Sequence, residues 1–382
     1  MQPPHHFQPA KKEVLSMLRT IRERIARSPD GAIRFSEYMS LCLYEPDQGY
    51  YMRSRPKLGP QGDYYTSASI GTLMGETLAA YAASRIRLWP DGGNVTIAEW
   101  GGGDGKLARS LLDELQSAYP SIYERLAYVS VETSPYHRLL QEDRLKPHAG
   151  IVRMMHESEW NAAPPWERTF VLSNELLDAL PVHIVSLRKE GWRELYITWD
   201  ERAEALAERW MPVADQRLAA YIRDKRLPAR SGQRFEVNLA AADWIGGTLR
   251  RLRSGEVVTI DYGDTASELW AEHRMNGTLL CYRNHQASDT PLEYPGEQDM
   301  TAHVNFTDVL EAGEAAGACE TVYMSQKQFL VENGLLQKLC QPGSNDPFGP
   351  EARRNRSIRQ LLLSDGMSEL FKVAIQRKSG PR

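Results

Sequence analysis

The sequence predicts a doubly wound α/β protein, in which helices cover both faces of a mainly parallel sheet. From residue 94 onward, short apolar runs alternate with amphipathic stretches, which is the pattern of parallel strands joined by crossover helices. A glycine-rich turn follows the first run, and Ser134 and Pro135 supply the N-cap and first residue of a later helix. We expect an N-terminal helical segment before this core, and an inserted hairpin with a helical lid within it.

The elements of the core follow from the apolar runs in chain order. We predict strands at residues 95–99, 127–132, 151–155, 170–173 and 257–261, and helices at residues 70–87, 106–117 and 135–143. The first third, up to Trp89, is predicted to be mainly helical, apart from a segment rich in Gly, Pro and Tyr at residues 44–69. Because ordering such a polar segment costs conformational entropy, it is more often functional than idle.

The spacing of apolar residues changes after Pro181. Residues 183–187 and 193–199 flank a Lys-Glu-Gly turn and predict a β-hairpin, and the charged stretch at 201–253 predicts a helical insertion. Further along, we predict a strand at 278–282, a polar loop at 283–301 and a closing strand at 369–376.

Composition narrows the range of partners. With 50 acidic and 46 basic residues, the net charge of -4 gives no broad positive field for nucleic acid. The four cysteines are scattered, and neither they nor the histidines show the spacing of a metal site. No apolar run approaches the ~18 residues that a membrane span requires. We therefore expect no metal, no nucleic acid and no membrane partner.

The N-terminal stretch, residues 1–27, has a basic face but also carries Glu13 and Glu23. Transit peptides are usually poor in acidic residues, so we interpret this stretch as an ordinary amphipathic helix. The sequence then predicts a cytoplasmic protein with reduced thiols.

The strongest motif lies where the first core strand meets its helix. Glu99 is followed by Gly101, Gly103 and Gly105 in the pattern E-x-G-x-G-x-G, the first motif of class I methyltransferases. Glycines let the backbone approach a ligand closely, and the helix N-terminus behind them favours an anionic group. Glu99 would attract the ammonium group of S-adenosylmethionine. A merely tight turn would not require four glycines in five residues.

A dinucleotide site is the competing interpretation, because Gly103, Gly105 and Ala108 also match G-x-G-x-x-G/A. In that motif the acid that holds the ribose lies about 20 residues on. Here Glu132 follows Gly105 by 132 − 105 = 27 residues, and the acid at Glu99 fits the methyl donor better. At the end of the second strand, Glu132 is placed to accept hydrogen bonds from ribose hydroxyls. The alternative is that Glu132 merely precedes a helix-capping sequence.

A third motif, residues 173–181, follows the fourth predicted strand, where ligands meet the sheet. Asn174, Glu175 and Asp178 could grip a planar cation such as an arginine guanidinium, which carboxylates bind bidentately. Acidic residues are also common at a helix N-terminus, where they need no ligand. The residues alone leave both interpretations open.

Taken in order, the motifs resemble the MidA-like family of methyltransferases, which includes bacterial members and mitochondrial complex I assembly factors. The resemblance covers about residues 33–373, and its marks are residues 35–39, 49–51, 62–66, 99–105, 131–135, 174–181, 260–263, 277–283 and 303–306. It implies a class I fold, S-adenosylmethionine as cofactor and, for the mitochondrial members, methylation of a protein arginine.

The resemblance also implies roles for individual residues. Glu175 would contact the guanidinium, supported by Asp178 and Asn174, and Thr66 would join the cofactor residues named above. The chain departs from the family at Ser69, at Leu176 and Leu177 and at Asn305, where the family has an acid, aromatic residues and an aspartate. These departures bear on the identity of the substrate more than on that of the cofactor.

The predicted organisation is therefore residues 1–93 as N-terminal helices with a cofactor-covering loop, and residues 94–382 as the methyltransferase core. The core would carry an insertion at about 183–253 and a substrate-side loop at about 283–310. The expected partner is an arginine-containing protein substrate, and a homodimer is left open. The alternatives are an S-adenosylmethionine-binding assembly scaffold and an NAD-binding oxidoreductase, for which no convincing proton donor is visible.

Overall fold

The computed structural model describes residues 11–57, 71–89, 93–340, 346, 348–363 and 367–380. The chain forms two compact units, each made of three separate segments. We call them the core unit (Tyr65–Asp178, Ala241–Ala266 and Val304–Arg382) and the accessory unit (Met1–Tyr64, Ala179–Ala240 and Ser267–His303).

The helices and strands alternate through most of the described chain. The helices are α1 (Lys11–Arg27), α2 (Phe35–Tyr44), α3 (Leu73–Ile86), α4 (Lys106–Ala118), α5 (Pro120–Tyr123), α6 (Pro135–Arg144), α7 (Glu157–Ala162), α8 (Gln216–Asp224), α9 (Leu239–Arg251), α10 (Ala266–Leu269), α11 (Phe306–Ala315), α12 (Gln326–Glu332), α13 (Pro350–Leu363) and α14 (Met367–Leu370). The strands are β1 (Ala32–Arg34), β2 (Val95–Trp100), β3 (Leu126–Val131), β4 (Val152–Met155), β5 (Thr169–Asn174), β6 (His183–Arg188), β7 (Gly191–Asp200), β8 (Ala205–Pro212), β9 (Arg234–Val237), β10 (Gly255–Asp264), β11 (Leu280–Arg283), β12 (Gln286–Ser288), β13 (Asp299–Thr301), β14 (Val304–Asn305), β15 (Glu320–Ser325) and β16 (Phe371–Lys378).

The core unit is built on one large sheet, with the strand order β15-β16-β10-β5-β2-β3-β4 and β14 paired to β10. The strands from β10 to β4 are parallel, and β16 runs antiparallel to both of its neighbours. Buried parallel strands are apolar on both faces, which explains the nearly continuous apolar runs in the sequence. The predicted doubly wound α/β fold is confirmed.

Strand register brings the motifs to one edge of the sheet. Trp100 pairs with Val131 of β3 and with Ser173 of β5, and Ile260 pairs with Asn174. The carboxyl ends of β2, β3, β5 and β10 are therefore level with one another. At this edge, parallel α/β sheets bind their ligands.

Packing assigns α3 to the core unit. Leu78 and Ala82 of this helix belong to the same buried apolar cluster as Ile97, Leu111 and Phe170. The compact units thus differ from the predicted division at residue 93, since the helix before it packs with the strands after it.

The accessory unit has two antiparallel sheets. One has the order β1-β7-β6-β9 with β8 also paired to β7, and the other has the order β12-β11-β13. The β6–β7 hairpin is where the sequence predicted it. The helical prediction for residues 201–253 is wrong over β8 and β9, and the loop predicted at 283–301 contains β12 and β13. The strands β1 and β15 were also not predicted.

The misassigned strand β8 shows why the prediction failed. Its Ala, Glu and Arg residues have good helix propensity. In the structure, however, all eight of its residues pair with β7, from Ala205 opposite Asp200 to Pro212 opposite Arg193. Pairing with a neighbouring strand overrides such weak local preferences.

A helix that crosses a membrane must be both long and apolar. None of the helices in the described ranges combines the necessary length with a sufficiently apolar sequence.

Candidate functional site

The turn after β2 has a backbone that only glycine adopts easily. Gly101, Gly103 and Gly105 have φ angles of +65°, +53° and +77°. Gly102 is required for another reason, because a Cβ atom there would lie 2.6 Å from Oε2 of Glu99. The turn then enters α4, whose N-cap is Gly105. These residues form a cradle of bare backbone in front of a helix N-terminus.

Glu99 lies under this turn and is only 2% exposed. The Tyr128 hydroxyl donates a hydrogen bond of 2.7 Å to its Oε2 atom. Burial, together with the nearby carboxylates of Glu132 and Asp104, raises the pKa of Glu99 to about 7, against the opposing effect of Tyr128. A ligand cation at this point would therefore favour the ionised carboxylate.

Glu132 lies at the end of β3 and is also buried. Its Oε1 atom accepts a 2.8 Å hydrogen bond from the Ser134 N–H, while Ser134 caps α6 by accepting the His137 N–H. Burial raises the pKa of Glu132 to about 7, although the backbone amides of Ser134, Thr133 and Gly103 lower it. Glu132 thus helps to hold the capping segment, and its other oxygen, Oε2, faces Gln141 and His137 at 3.5 and 3.9 Å.

Gln141, which sequence analysis missed, lies beneath the glycine turn. It is fully buried on the inner face of α6, and its Nε2 donates a 2.9 Å hydrogen bond to the Gly103 carbonyl. The sequence feature that could have revealed Gln141 is its spacing from His137. The two residues are four positions apart and so share one helix face. A buried amide on such a face needs partners, and the turn supplies one of them.

The loop after β5 holds the predicted substrate residues. Glu175 is partly exposed and has a φ angle of +53°, which is uncommon for a residue with a side chain. Its N–H donates to the Ile260 carbonyl at 2.9 Å, and its Oε1 accepts a 3.2 Å hydrogen bond from Asn174 Nδ2. The Asn174 Oδ1 atom is buried and has no hydrogen-bond partner among the residues that the structure describes.

No helix follows this loop, since residues 175–180 form bends and turns. The alternative that Glu175 and Asp178 are simply acidic residues at a helix N-terminus is therefore wrong. Instead, the loop is held from below by Asp261 of β10, whose Oδ2 accepts the N–H groups of Leu176 and Leu177 at 3.1 and 2.9 Å.

Asp261 is the second residue that sequence analysis did not assign a role. It is fully buried, and burial, followed by the charges of Asp178 and Glu175, raises its pKa well above the ordinary value. Tyr262 donates from its hydroxyl to Asp178 Oδ2. The sequence feature that could have revealed Asp261 is an acidic residue within an apolar strand that ends at the ligand edge of the sheet.

The structure thus brings most of the predicted residues to one edge of the core sheet. Glu99, the glycine turn and Glu132 form one group, and Asn174, Glu175 and Asp178 form the other. The groups meet where Leu176 lies over Gly101, since a Cβ atom on that glycine would be 2.9 Å from Leu176 Cδ1. Thr66 lies outside the described residues. Among the described part of the chain, no cluster of His, Cys, Asp and Glu could hold a metal ion.

Comparison with known proteins identifies the chemistry. Residues 77–324 match the model of a family of S-adenosyl-L-methionine-dependent methyltransferases. A crystal structure of a Burkholderia thailandensis protein bound to S-adenosyl-homocysteine is 31% identical, with a TM-score of 0.85, and the match covers 97% of this chain and 95% of that one. A native crystal structure from the same superfamily and organism is 32% identical, with a TM-score of 0.83 over 97% and 94% of the two chains.

The curated relatives include proteins that are named as arginine methyltransferases. The mitochondrial protein arginine methyltransferase NDUFAF7 of Homo sapiens is 27% identical over 93% of this chain and 80% of its own length. The Drosophila melanogaster homologue is 28% identical over 79% of this chain and 71% of its own length.

The relatives also bear on the alternatives and on the expected location. They favour neither the scaffold nor the oxidoreductase alternative. They are named as mitochondrial, which contradicts our expectation of a cytoplasmic protein; the acidic residues in the N-terminal helix were a weak guide to location.

The residues at the edge of the core sheet fit S-adenosylmethionine. Gly101, Gly102 and Gly103 are partly exposed and carry no side chain, so their backbone is open to a ligand. Two buried carboxylates, Glu99 and Glu132, lie at the ends of the adjacent strands β2 and β3. When bound, this cofactor supplies a methyl group on a sulfonium. The chain belongs to the MidA-like family of S-adenosylmethionine-dependent methyltransferases.

Proposed function

We propose that this methyltransferase transfers the methyl group to an arginine side chain of a protein substrate. The observation that carries the proposal is Glu175, a carboxylate held in a left-handed backbone conformation at the ligand edge of the core sheet. Strained residues of this kind cost about 1–3 kcal/mol and cluster at functional sites. The names of the curated relatives support the same substrate class.

The loop suits a guanidinium in three respects. A carboxylate can accept two parallel N–H bonds from the planar fork of an arginine. Asn174 Nδ2 binds one oxygen of Glu175, which fixes the direction of that carboxylate. Asp178 is oriented in turn by the Tyr262 hydroxyl. In our proposal, Glu175 orients the guanidinium, and Asn174 and Asp178 support it.

Orientation is the main contribution that these side chains can make. A carboxylate at one side of the guanidinium draws the positive charge toward itself and leaves electron density on the nitrogen that accepts the methyl group. Holding two reacting groups in line can contribute about 7–11 kcal/mol to a reaction. No covalent intermediate with the protein is required.

For the cofactor we propose the placement that the motifs suggest. Glu99 attracts the ammonium group, Gly101, Gly103 and Gly105 accommodate the amino-acid end, and Glu132 accepts the ribose hydroxyls. The burial of both carboxylates and the open backbone of the turn support these roles. Thr66 is proposed as a further contact from the N-terminal segment.

The test compares Glu175→Gln with Glu157→Gln, which makes the same change at an exposed position of α7. Both variants should bind S-adenosylhomocysteine like the wild type in calorimetry. With methyl-labelled donor and extract of cells lacking this protein, only Glu175→Gln should lose methyl transfer, by about 10²-fold or more.

Hydrolysis of the labelled protein identifies the acceptor. Label in methylarginine supports the proposal, whereas label in another amino acid or in a small molecule contradicts the substrate. Loss of S-adenosylhomocysteine binding in Glu175→Gln would contradict the role given to Glu175.

A further inference from the structure

Gln141 connects the two elements to which we assign the cofactor. Its side chain is 0% exposed and lies between the glycine turn after β2 and Glu132 at the end of β3. We propose that Gln141 is a positioning residue, which holds the turn and Glu132 in the arrangement that binds S-adenosylmethionine. It is not expected to contact the reacting atoms.

The hydrogen bonds of Gln141 define the direction of its amide. The Ser130 hydroxyl donates to Oε1, which leaves Nε2 as the donor on the opposite side. Nε2 donates to the Gly103 carbonyl at 2.9 Å and lies 3.5 Å from Glu132 Oε2. Because an amide nitrogen has two N–H groups, one side chain can serve both acceptors.

Packing adds to these hydrogen bonds. A Cβ atom on Gly105 would lie 3.1 Å from Cγ of Gln141, and one on Gly102 would lie 3.3 Å from its Nε2. The side chain therefore supports the turn from below over its second half. Both its shape and its two polar ends match this position.

The consequence of losing the amide follows from burial. A leucine of similar size would fill the space but leave the Ser130 hydroxyl and the Gly103 carbonyl without this partner. Gly103 has a φ angle of +53° and lies in a turn of four glycines, which has little stiffness of its own. Without the hydrogen bond from Gln141, the turn would sample conformations that do not bind the cofactor. Ordering the turn on binding would then lower the affinity for the cofactor.

The inference depends on the cofactor roles proposed for Gly103 and Glu132, and it does not depend on arginine being the acceptor. The experiment therefore measures binding of S-adenosylhomocysteine alone. Failure of the arginine proposal would leave its result unchanged.

Gln141→Leu is compared with Gln376→Leu. Gln376 is also a buried glutamine of the core unit, 1% exposed, and its Nε2 donates to the carbonyls of Val309 and Leu310. Both variants lose buried hydrogen bonds, so both should lower the thermal midpoint. Only Gln141→Leu should weaken S-adenosylhomocysteine binding, by roughly tenfold, because only this change removes the amide that holds the glycine turn next to Glu132. Equal weakening in both variants, or unchanged binding in Gln141→Leu, overturns the proposal.

Gln141→Glu provides a second measurement that keeps the shape of the side chain. The new carboxylate repels Glu132 and cannot donate to Gly103, but once protonated it can donate again. Its binding defect relative to wild type should therefore shrink as pH falls. The other titratable or charged neighbours of Glu132 are Glu99, His137 and Arg138. A defect that does not change with pH would indicate a merely structural role and overturn the proposal.

Discussion

In the two halves of the candidate site, different kinds of residue occupy the backbone positions with positive φ angles. In the turn after β2, the residues with positive φ are glycines, which adopt such angles without strain. In the loop after β5, the residue with positive φ is Glu175, which retains its side chain at an energetic cost. The turn is supported by a neutral amide, Gln141, whereas the loop is held by a buried acid, Asp261.

In our proposal, this difference separates cofactor binding from orientation of the substrate. A cofactor cradle needs access to backbone, so the absence of side chains serves it. A residue that must orient a substrate needs its carboxylate, and the surrounding contacts must compensate for the strain. The comparison predicts that changes on the two sides affect different measured quantities.

The largest effect is expected for Asp261→Ala. This change removes the acceptor of the Leu176 and Leu177 N–H groups, so the loop that carries Glu175 loses the hydrogen bonds that hold it to β10 at these two residues. Turnover should fall about 10²-fold, as expected when a positioning contact is lost. S-adenosylhomocysteine affinity, measured by calorimetry, should stay within about threefold of wild type. A variant that loses affinity as strongly as turnover would show that the two halves are not separate.

A smaller effect is expected from pH on the cofactor side. Burial raises the pKa of Glu99 to about 7, above its value in the unfolded chain, so the folded protein takes up a proton there more readily. Ionisation as pH rises toward 7 therefore costs the unliganded protein stability. A bound ammonium group favours the ionised form, so affinity for S-adenosylhomocysteine should rise several-fold between about pH 6 and about pH 8.

Calorimetric titrations and thermal midpoints across this range check both trends. Glu99→Gln, which cannot ionise, should reduce the pH dependence of affinity and of stability. It should not remove this dependence, because burial raises the pKa of Glu132 to about 7 as well. Affinity that falls as pH rises in the wild type would argue against the placement of the ammonium group at Glu99.

The smallest effect concerns the strain itself. Glu175→Gly and Glu175→Ala both remove the carboxylate, but glycine adopts a φ of +53° without cost. The glycine variant should therefore be more stable than the alanine variant by about 1 kcal/mol. Denaturant unfolding of the two variants measures the difference. Equal stabilities would mean that Glu175 stores no strain.

Sequence analysis succeeded where local patterns carry the information. The apolar runs predicted β2, β3, β4, β5 and β10, and the glycine turn was visible as a motif. What it missed depends on contacts between distant residues. Asp261 meets Leu177 across 84 positions, and Gln141 meets Gly103 across 38. Neither partner can be identified from the spacing of apolar residues along one element.

The strand order also determines when each half of the site can form during synthesis. The residues that we assign to the cofactor half, with Gln141 beneath them, all precede residue 145 in the chain. The substrate loop follows β5, but Asp261 lies on β10, and most of an accessory-unit segment, Ala179–Ala240, is made in between. Pairs so distant in sequence close late because the intervening chain must first be ordered. A nascent chain released from the ribosome before β10 would already carry the cofactor cradle, yet its substrate loop would still lack the aspartate that holds it.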